Sequence, residues 1–240
     1  EVDAAMIDNM DQGVGRIVER LKSTGHYENT LIIFMSDNGA SPEEIFDKSP
    51  VWTEKGVVPP KCRDGREIIF GVNPNVMPGP ETTFQSYGLP WANLSNTPFR
   101  GYKSQVHEGG ISAPLVAHWP GKLESGGIRH HMVHLMDLVP TTLDLIGIEQ
   151  PKKINGKKVK SCEGSSLKSC LLDNQSMDRH KLAWEQQGNK SLRDDKWKLV
   201  KKHKREWELY DMVEDRTENN NLAPKESSRV QEMIKTHKKW

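Results

Sequence analysis

Three cysteines in 240 residues are too few to staple a fold of this size. Cys62, Cys162 and Cys170 form neither a metal-spaced set nor an even disulfide framework; a Cys162 to Cys170 bridge fits the sequence, but free or buried thiols are the expectation. No apolar run approaches the roughly 20 residues of a membrane span. No secretory leader pattern is present, so a soluble segment without a membrane span is expected. The first residues lack an initiator Met and enter a helical pattern at once, as a fragment would. Internal repeats and low-complexity tracts are absent as well.

Charge of one sign is also lacking, with 34 Lys and Arg against 33 Asp and Glu. The balance hides an asymmetry. Residues 1–150 hold 12 basic against 19 acidic residues, a net of −7, whereas residues 151–240 hold 22 against 14, a net of +8. The run Lys-Lys-His-Lys-Arg at 201–205 could face a polyanion, although a single basic run is most often a solvated strand or loop. No aromatic residues interleave with it as in a nucleic-acid motif, so no nucleic-acid partner is expected.

What is present divides the chain at about residue 150. Val2, Met6, Met10, Val14, Ile17, Val18 and Leu21 recur at helical spacing, and Gly25 is placed to end that helix. The Gly-Val-Gly at 13–15 lacks the preceding strand of a dinucleotide site. From 41 to 95 Pro and Gly recur, periodicity fades, and only Glu-Ile-Ile-Phe-Gly-Val at 67–72 resembles a strand. Such a loop-rich excursion is expected to shape a pocket rim. Leu-Val-Ala-His-Trp at 115–119 reads as a buried strand stopped by Pro120-Gly121. The following segment reads as a helix with Asp137 at its N-cap, Pro140 in its first turn and Gly147 closing it. Beyond Pro151, short alternating pieces beginning at Lys181, Lys196 and Glu206, then a helical 227–240, predict a small antiparallel sheet closed by a helix. The expectation is an α/β domain over 1–150, with a sheet flanked by helices, and a small α+β subdomain over 151–240.

Chemistry concentrates at Leu-Ile-Ile-Phe-Met-Ser-Asp-Asn-Gly, residues 31–39. The run at 31–35 does not alternate, as in a strand covered on both faces within a parallel sheet. Asp37 and Asn38 then lie past its carboxyl end, where open α/β sheets bind ligands. A carboxylate and an amide carbonyl suit a hard cation, and Gly39 lets the backbone turn. An isolated Ser-Asp-Asn-Gly fits an ordinary Asn-Gly turn equally well.

Three ordered motifs go further. Asn-Thr-Leu-Ile-Ile-Phe-Met-Ser-Asp-Asn-Gly at 29–39, Asn-Thr-Pro-Phe-Arg-Gly-Tyr-Lys-Ser-Gln-Val-His-Glu-Gly-Gly at 96–110 and Trp-Glu-Leu-Tyr-Asp-Met with Glu-Asn-Asn-Asn-Leu-Ala at 207–223 together closely resemble the second half of type I sulfatases, the arylsulfatase family of the alkaline-phosphatase superfamily. The resemblance implies an incomplete alkaline-phosphatase-like α/β fold. It implies that Asp37 and Asn38 help hold a divalent cation, calcium or alternatively magnesium, and that Lys103 contacts the sulfate group. Calcium takes 6 to 8 oxygen ligands, so two residues cannot complete its sphere.

Other polar residues follow with less support. His107 is a candidate proton donor or substrate contact beside a structural reading, and Glu185, Gln186 and Asn189 occupy positions that face substrate in the family. Glu108 reads as a partner of Arg100 or an amide cap. His130, His131 and His134 resemble a metal cluster by number, but their setting suits solvated or packing roles. The family's nucleophile, a formylglycine made in a Cys/Ser-x-Pro-x-Arg segment, has no counterpart in this sequence. A C-terminal portion of a sulfatase, inactive alone, accounts for that and for the other missing upstream ligands. The implied reaction is hydrolysis of a sulfated small molecule or glycan in an exported or lysosomal-type compartment, where Asn93-Leu94-Ser95 and Asn189-Lys190-Ser191 would be glycosylation sequons. A phosphonate or phosphodiester hydrolase of the same superfamily and a noncatalytic sulfated-glycan-binding module are the alternatives.

Overall fold

The computed structural model describes residues 2–44, 58–177 and 181–240; the first part of the loop-rich excursion, 45–57, therefore lies outside the described residues. Helix α1 (Val2–Ser23) ends where its glycine stops it. Gly25 takes φ of +72° and the His26 amide donates to Leu21 O at 2.9 Å. Its apolar stripe, however, is left largely open among the described residues: no α1 residue is fully buried, and Met6 is 67% exposed.

Strand β1 (Ile32–Met35) pairs with β4 (Leu115–His118), Ile32 opposite His118 and Met35 opposite Leu115. The pairing is antiparallel and the sheet has two strands, which corrects the parallel, doubly covered strand expected from the run at 31–35. Phe34 is 43% and Val116 58% exposed. An unbroken apolar run records that a strand calls for cover on both faces; which strand lies beside it, and in which direction, depends on remote segments.

Within the excursion, β2 (Ile69–Phe70) and β3 (Thr83–Phe84) form a short parallel pair. A nine-residue helix, α2 (Gly88–Asn96), follows where irregular chain was expected. Pro90 sits in its first turn, where a missing amide costs nothing, and its few apolar residues set up no stripe to read. Next come the single turn α3 (Glu108–Ile111), β4, and α4 (Leu138–Ile146), which Gly147 closes at φ 71° as expected. Asp137 does precede α4, but its carboxylate accepts from the His134 and Ser165 amides rather than capping that helix. The His134 ring accepts from the Met136 amide in return, completing a capping box around the preceding 3-10 turn.

The β5 (Lys153–Ile154) and β6 (Lys157–Lys158) hairpin and α5 (Lys168–Asp173) lead to the C-terminal sheet. Strands β7 (Lys181–Gln186), β8 (Asn189–Asp194), β9 (Trp197–Lys201) and β10 (Trp207–Asp211) form an antiparallel meander in spatial order β10-β9-β8-β7. The expected antiparallel sheet is there with one strand more, since the polar β8 lacked an apolar signal. Helix α6 (Ser227–His237) covers one face, burying Val230 and Met233 against Leu192, Leu199 and Leu209. Across the sheet, Val200, Tyr210 and Met212 pack against Val106, from the loop that follows Lys103. All three cysteines are free thiols, and burial pushes the Cys170 thiol up from its ordinary value.

Candidate functional site

A cavity of about 400 Å³ opens where three remote segments meet: the end of β1, the loop at 103–106 and the end of β7. Asp37, Asn38 and Lys103 all line it, as do Trp184, Glu185 and Gln186. Lys103 Nζ lies 3.4 Å from Glu43 Oε2, both side chains being well exposed, so that pair holds the amine only weakly.

Backbone contacts bring these side chains together. The Gly39 amide donates to Gly110 O at 3.0 Å, and a Cβ on Gly39 would overlap the Gly109 carbonyl oxygen. Gly39 is thus needed for close approach, not for the sharp turn expected of it, since it does not adopt a positive φ. The Lys103 amide donates to Ala40 O at 3.1 Å, while Asn96 accepts from the Ala40 amide and donates to Gly101 O. Asp37, Asn38 and Lys103 therefore share one stitched piece of backbone.

With its Nδ2 donating to Gly39 O, Asn38 keeps its side-chain oxygen as an acceptor, and among the described residues the exposed Asp37 carboxylate accepts no hydrogen bond. Two oxygen donors of this kind fit a hard cation. They remain an incomplete set: among the described residues no three His, Cys, Asp or Glu side chains gather as a metal group. His130 and His131 line a larger neighbouring cavity of about 1780 Å³, while His134 borders the smaller one, its ring 6.1 Å from that of Trp184.

His107 is fully buried and lines neither cavity. Its Nε2 lies 2.8 Å from Glu208 Oε2, and the Tyr210 hydroxyl donates to the same oxygen at 2.5 Å. Burial alone would raise the Glu208 carboxyl, but the hydrogen bonds from His107 and Tyr210 outweigh it and hold that group down to about 2. Tyr210 moves up, through burial and the same carboxylate. On β7 the pleat turns Glu185 away from the face bearing Trp184 and Gln186, and its carboxylate pairs with Lys190 at 3.2 Å while the residue still touches the cavity rim. Asn189 is committed: it donates to Ser104 O and accepts from the His203 amide, both at 2.9 Å. The amide of the Asn189 sequon is therefore engaged in a hydrogen bond, whereas Asn93 is exposed.

Glu108 does not pair with Arg100, contrary to expectation. Arg100 donates to Glu218 O and the Tyr210 hydroxyl, and Glu108 instead meets Lys198 at 2.7 Å and Arg216 at 3.6 Å. Lys198 is 0% exposed and bridges to Glu218 Oε1 at 2.8 Å, and Glu218 Oε2 accepts from the Glu108 amide at 2.7 Å. Burial would raise the Glu108 carboxyl, but the Lys198 ammonium, aided by Arg216, keeps it below its ordinary value. Sequence reasoning passed over Lys198, though a signal existed. It shares a strand face with the buried Val200 and stands opposite Tyr210 and Arg193, where a lysine needs a partner.

A family model described as Sulfatase matches residues 2–148. The chain belongs to the sulfatase family. A second model, described as N-sulphoglucosamine sulphohydrolase, C-terminal, matches residues 101–239 of this sulfatase chain. The chain is 31% identical over 98% of its length to an uncharacterized sulfatase of Schizosaccharomyces pombe, covering 42% of that protein. It is 34% identical over 70% of its length to the arylsulfatase of Klebsiella aerogenes, covering 33% of that enzyme. Among solved structures, Ps i-CgsB in complex with k-i-k-neocarrahexaose shares the fold at a TM-score of 0.66 and 24% identity, over 99% of this chain and 42% of that one. The chain thus spans about two fifths or less of the proteins it matches, and its alkaline-phosphatase-like α/β fold with a small C-terminal sheet is that of sulfatases. Among the described residues, no helix is long and apolar enough to cross a membrane.

Proposed function

We propose that these residues form the carboxyl-terminal share of a sulfate monoester hydrolase site. The reaction adds water across the ester S–O bond, giving an alcohol and inorganic sulfate. The observation that carries this reading is that Asp37, Asn38 and Lys103, the last lying 65 positions beyond Asn38, border one cavity. Lys103 would place an ammonium against a sulfate oxygen whose charge grows as the bond breaks. Asp37 and Asn38 would hold a divalent cation such as calcium or magnesium, which when bound supplies positive charge to the sulfate group. His107 supports the Lys103 loop from below through Glu208, Glu185 and Gln186 border the substrate, and Asn189 ties that wall to Ser104. In this arrangement residues 1–150 carry the anion site, and residues 151–240 form the subdomain that backs it.

A formylglycine nucleophile would have to come from outside this sequence, which contains no Cys/Ser-x-Pro-x-Arg segment; these 240 residues alone are therefore inactive. A sulfated sugar is the favoured substrate, consistent with the name of the family model matching 101–239. An exported or lysosomal-type compartment suits such substrates. The test is turnover by the complete protein of an aryl sulfate, an aryl phosphonate and a sulfated sugar, with and without Lys103→Ala. Sulfate release that falls about 10²- to 10³-fold in the variant supports the reading. Faster phosphonate cleavage would make it a phosphonate hydrolase instead, and salt-sensitive glycan binding without turnover would make it a binding module.

A further inference from the structure

The proposed site leaves one feature unused: a lysine buried completely, between two carboxylates, on a strand that touches neither cavity. Lys198 projects from β9 toward the turn that follows Lys103. Its ammonium meets Glu108 Oε1 at 2.7 Å and Glu218 Oε1 at 2.8 Å, and Glu218 reaches on to the Glu108 amide. Glu108 is thereby gripped at both its carboxylate and its backbone. The next residues, Gly109 and Gly110, are those against which Gly39 is packed, and a Cβ on Gly109 or Gly110 would collide with the backbone of Arg100, Tyr102 or Gln105.

We infer that Lys198 is a positioning residue. It clamps the turn at 108–110, and through the backbone contact of Gly110 with Gly39 it sets the placement of Asp37 and Asn38 relative to Lys103. This rests on the functional reading of those three residues. The physical case is the cost of the arrangement. A buried ion set is seldom better for stability than apolar side chains of the same volume, yet removing one member leaves the others charged and unpaired. What the ionic set provides that an apolar one does not is direction: two fixed oxygens, an ammonium and an amide admit one register of the turn. Glu218 lies within the Glu-Asn-Asn-Asn-Leu-Ala motif at 218–223. That motif therefore acts from beneath the site: Glu218 holds the turn, and Asn221 accepts from the Leu209 amide at the adjacent strand.

Three variants of the complete protein test the clamp: Lys198→Met; the triple Lys198→Met/Glu108→Gln/Glu218→Gln, which removes the stranded charges so that the chain folds; and Leu199→Ala, which cuts into the α6 side of the same strand. The expected result is a drop in kcat for sulfate-ester hydrolysis of at least tenfold in both clamp variants with KM within about threefold, together with faster amide exchange in peptides spanning 36–41 and 100–111. Leu199→Ala, assayed well below its melting temperature, should leave kcat and the exchange of those peptides near wild type. A folded triple variant with wild-type kcat and exchange protection overturns the clamp, as does Leu199→Ala changing both readouts as much as the clamp variants do. Lys103→Ala separates the two ideas. If it leaves hydrolysis intact, the site assignment fails, whereas if it abolishes hydrolysis and the triple variant does not affect it, only the clamp fails.

Discussion

The stretch before residue 150 and the sheet after residue 180 both carry apolar patterns, yet they bury them to very different extents. Of the sixteen buried apolar residues among the described ones, only Val58, Ile68, Ala92 and Val106 come from the longer first stretch. The rest sit at Leu167 or beyond, most of them in the four-stranded sheet and α6. The first stretch keeps α1, Phe34 and Val116 open while carrying Asp37, Asn38 and Lys103 at the cavity. The difference teaches that the region bearing the small cavity is tied to the region carrying the core, through Val106, Glu108 and Arg100.

The sharpest break of that comparison is Gly39→Ala. The added methyl meets backbone, not a side chain that could swing aside, so the contact between 37–40 and 108–110 must open. We expect a loss of at least about 3 kcal/mol of local stability, at the upper end of overpacking costs, read as exchange at Gly110 and Lys103. Leu209→Ala attacks the other region, where the side chain is wholly buried against α6. It should cost about 3 kcal/mol by urea denaturation, with the 400 Å³ cavity left intact.

Acid provides a finer probe. The Glu208 carboxyl lies at about 2 in the folded chain against an ordinary 4.5. A lowered folded value means that its stabilisation is present above pH 4.5 and lost as pH falls toward 2. Glu208→Gln should therefore flatten stability over that window in acid titrations followed by circular dichroism. Calcium binding ranks next: calorimetry on the 240 residues should find affinity weaker than micromolar, because two donors cannot fill the sphere, and submicromolar affinity would contradict the incomplete-site reading. Smallest of all, Met6→Ala should change stability by less than about 0.5 kcal/mol, since its side chain is already exposed.

Much of this was legible because it is local. Gly25 and Gly147 end their helices through their own backbone, and alternation in β7, β9 and β10 marks their two faces. The candidates Asp37, Asn38 and Lys103 were legible through motif resemblance, which carries no geometry. What escaped were elements lacking a pattern, α2 with its early proline and the polar β8, and every contact between distant segments. Glu108 facing Lys198 instead of Arg100 is such a contact, as is the antiparallel partner of β1.

The sequence alone determined helices α1, α4 and α6, the strand faces of β7, β9 and β10, the family, and Asp37, Asn38 and Lys103 as candidates, since short-range periodicity and ordered motifs suffice for these. Tertiary structure alone decided that Gly39 serves close approach, that His107 is sealed away with Glu208, and that a buried lysine 95 residues downstream of Lys103 grips the turn behind it. The reason is physical. A side chain's meaning here depends on whether water or another charge stands beside it, and that is settled only when remote strands come together.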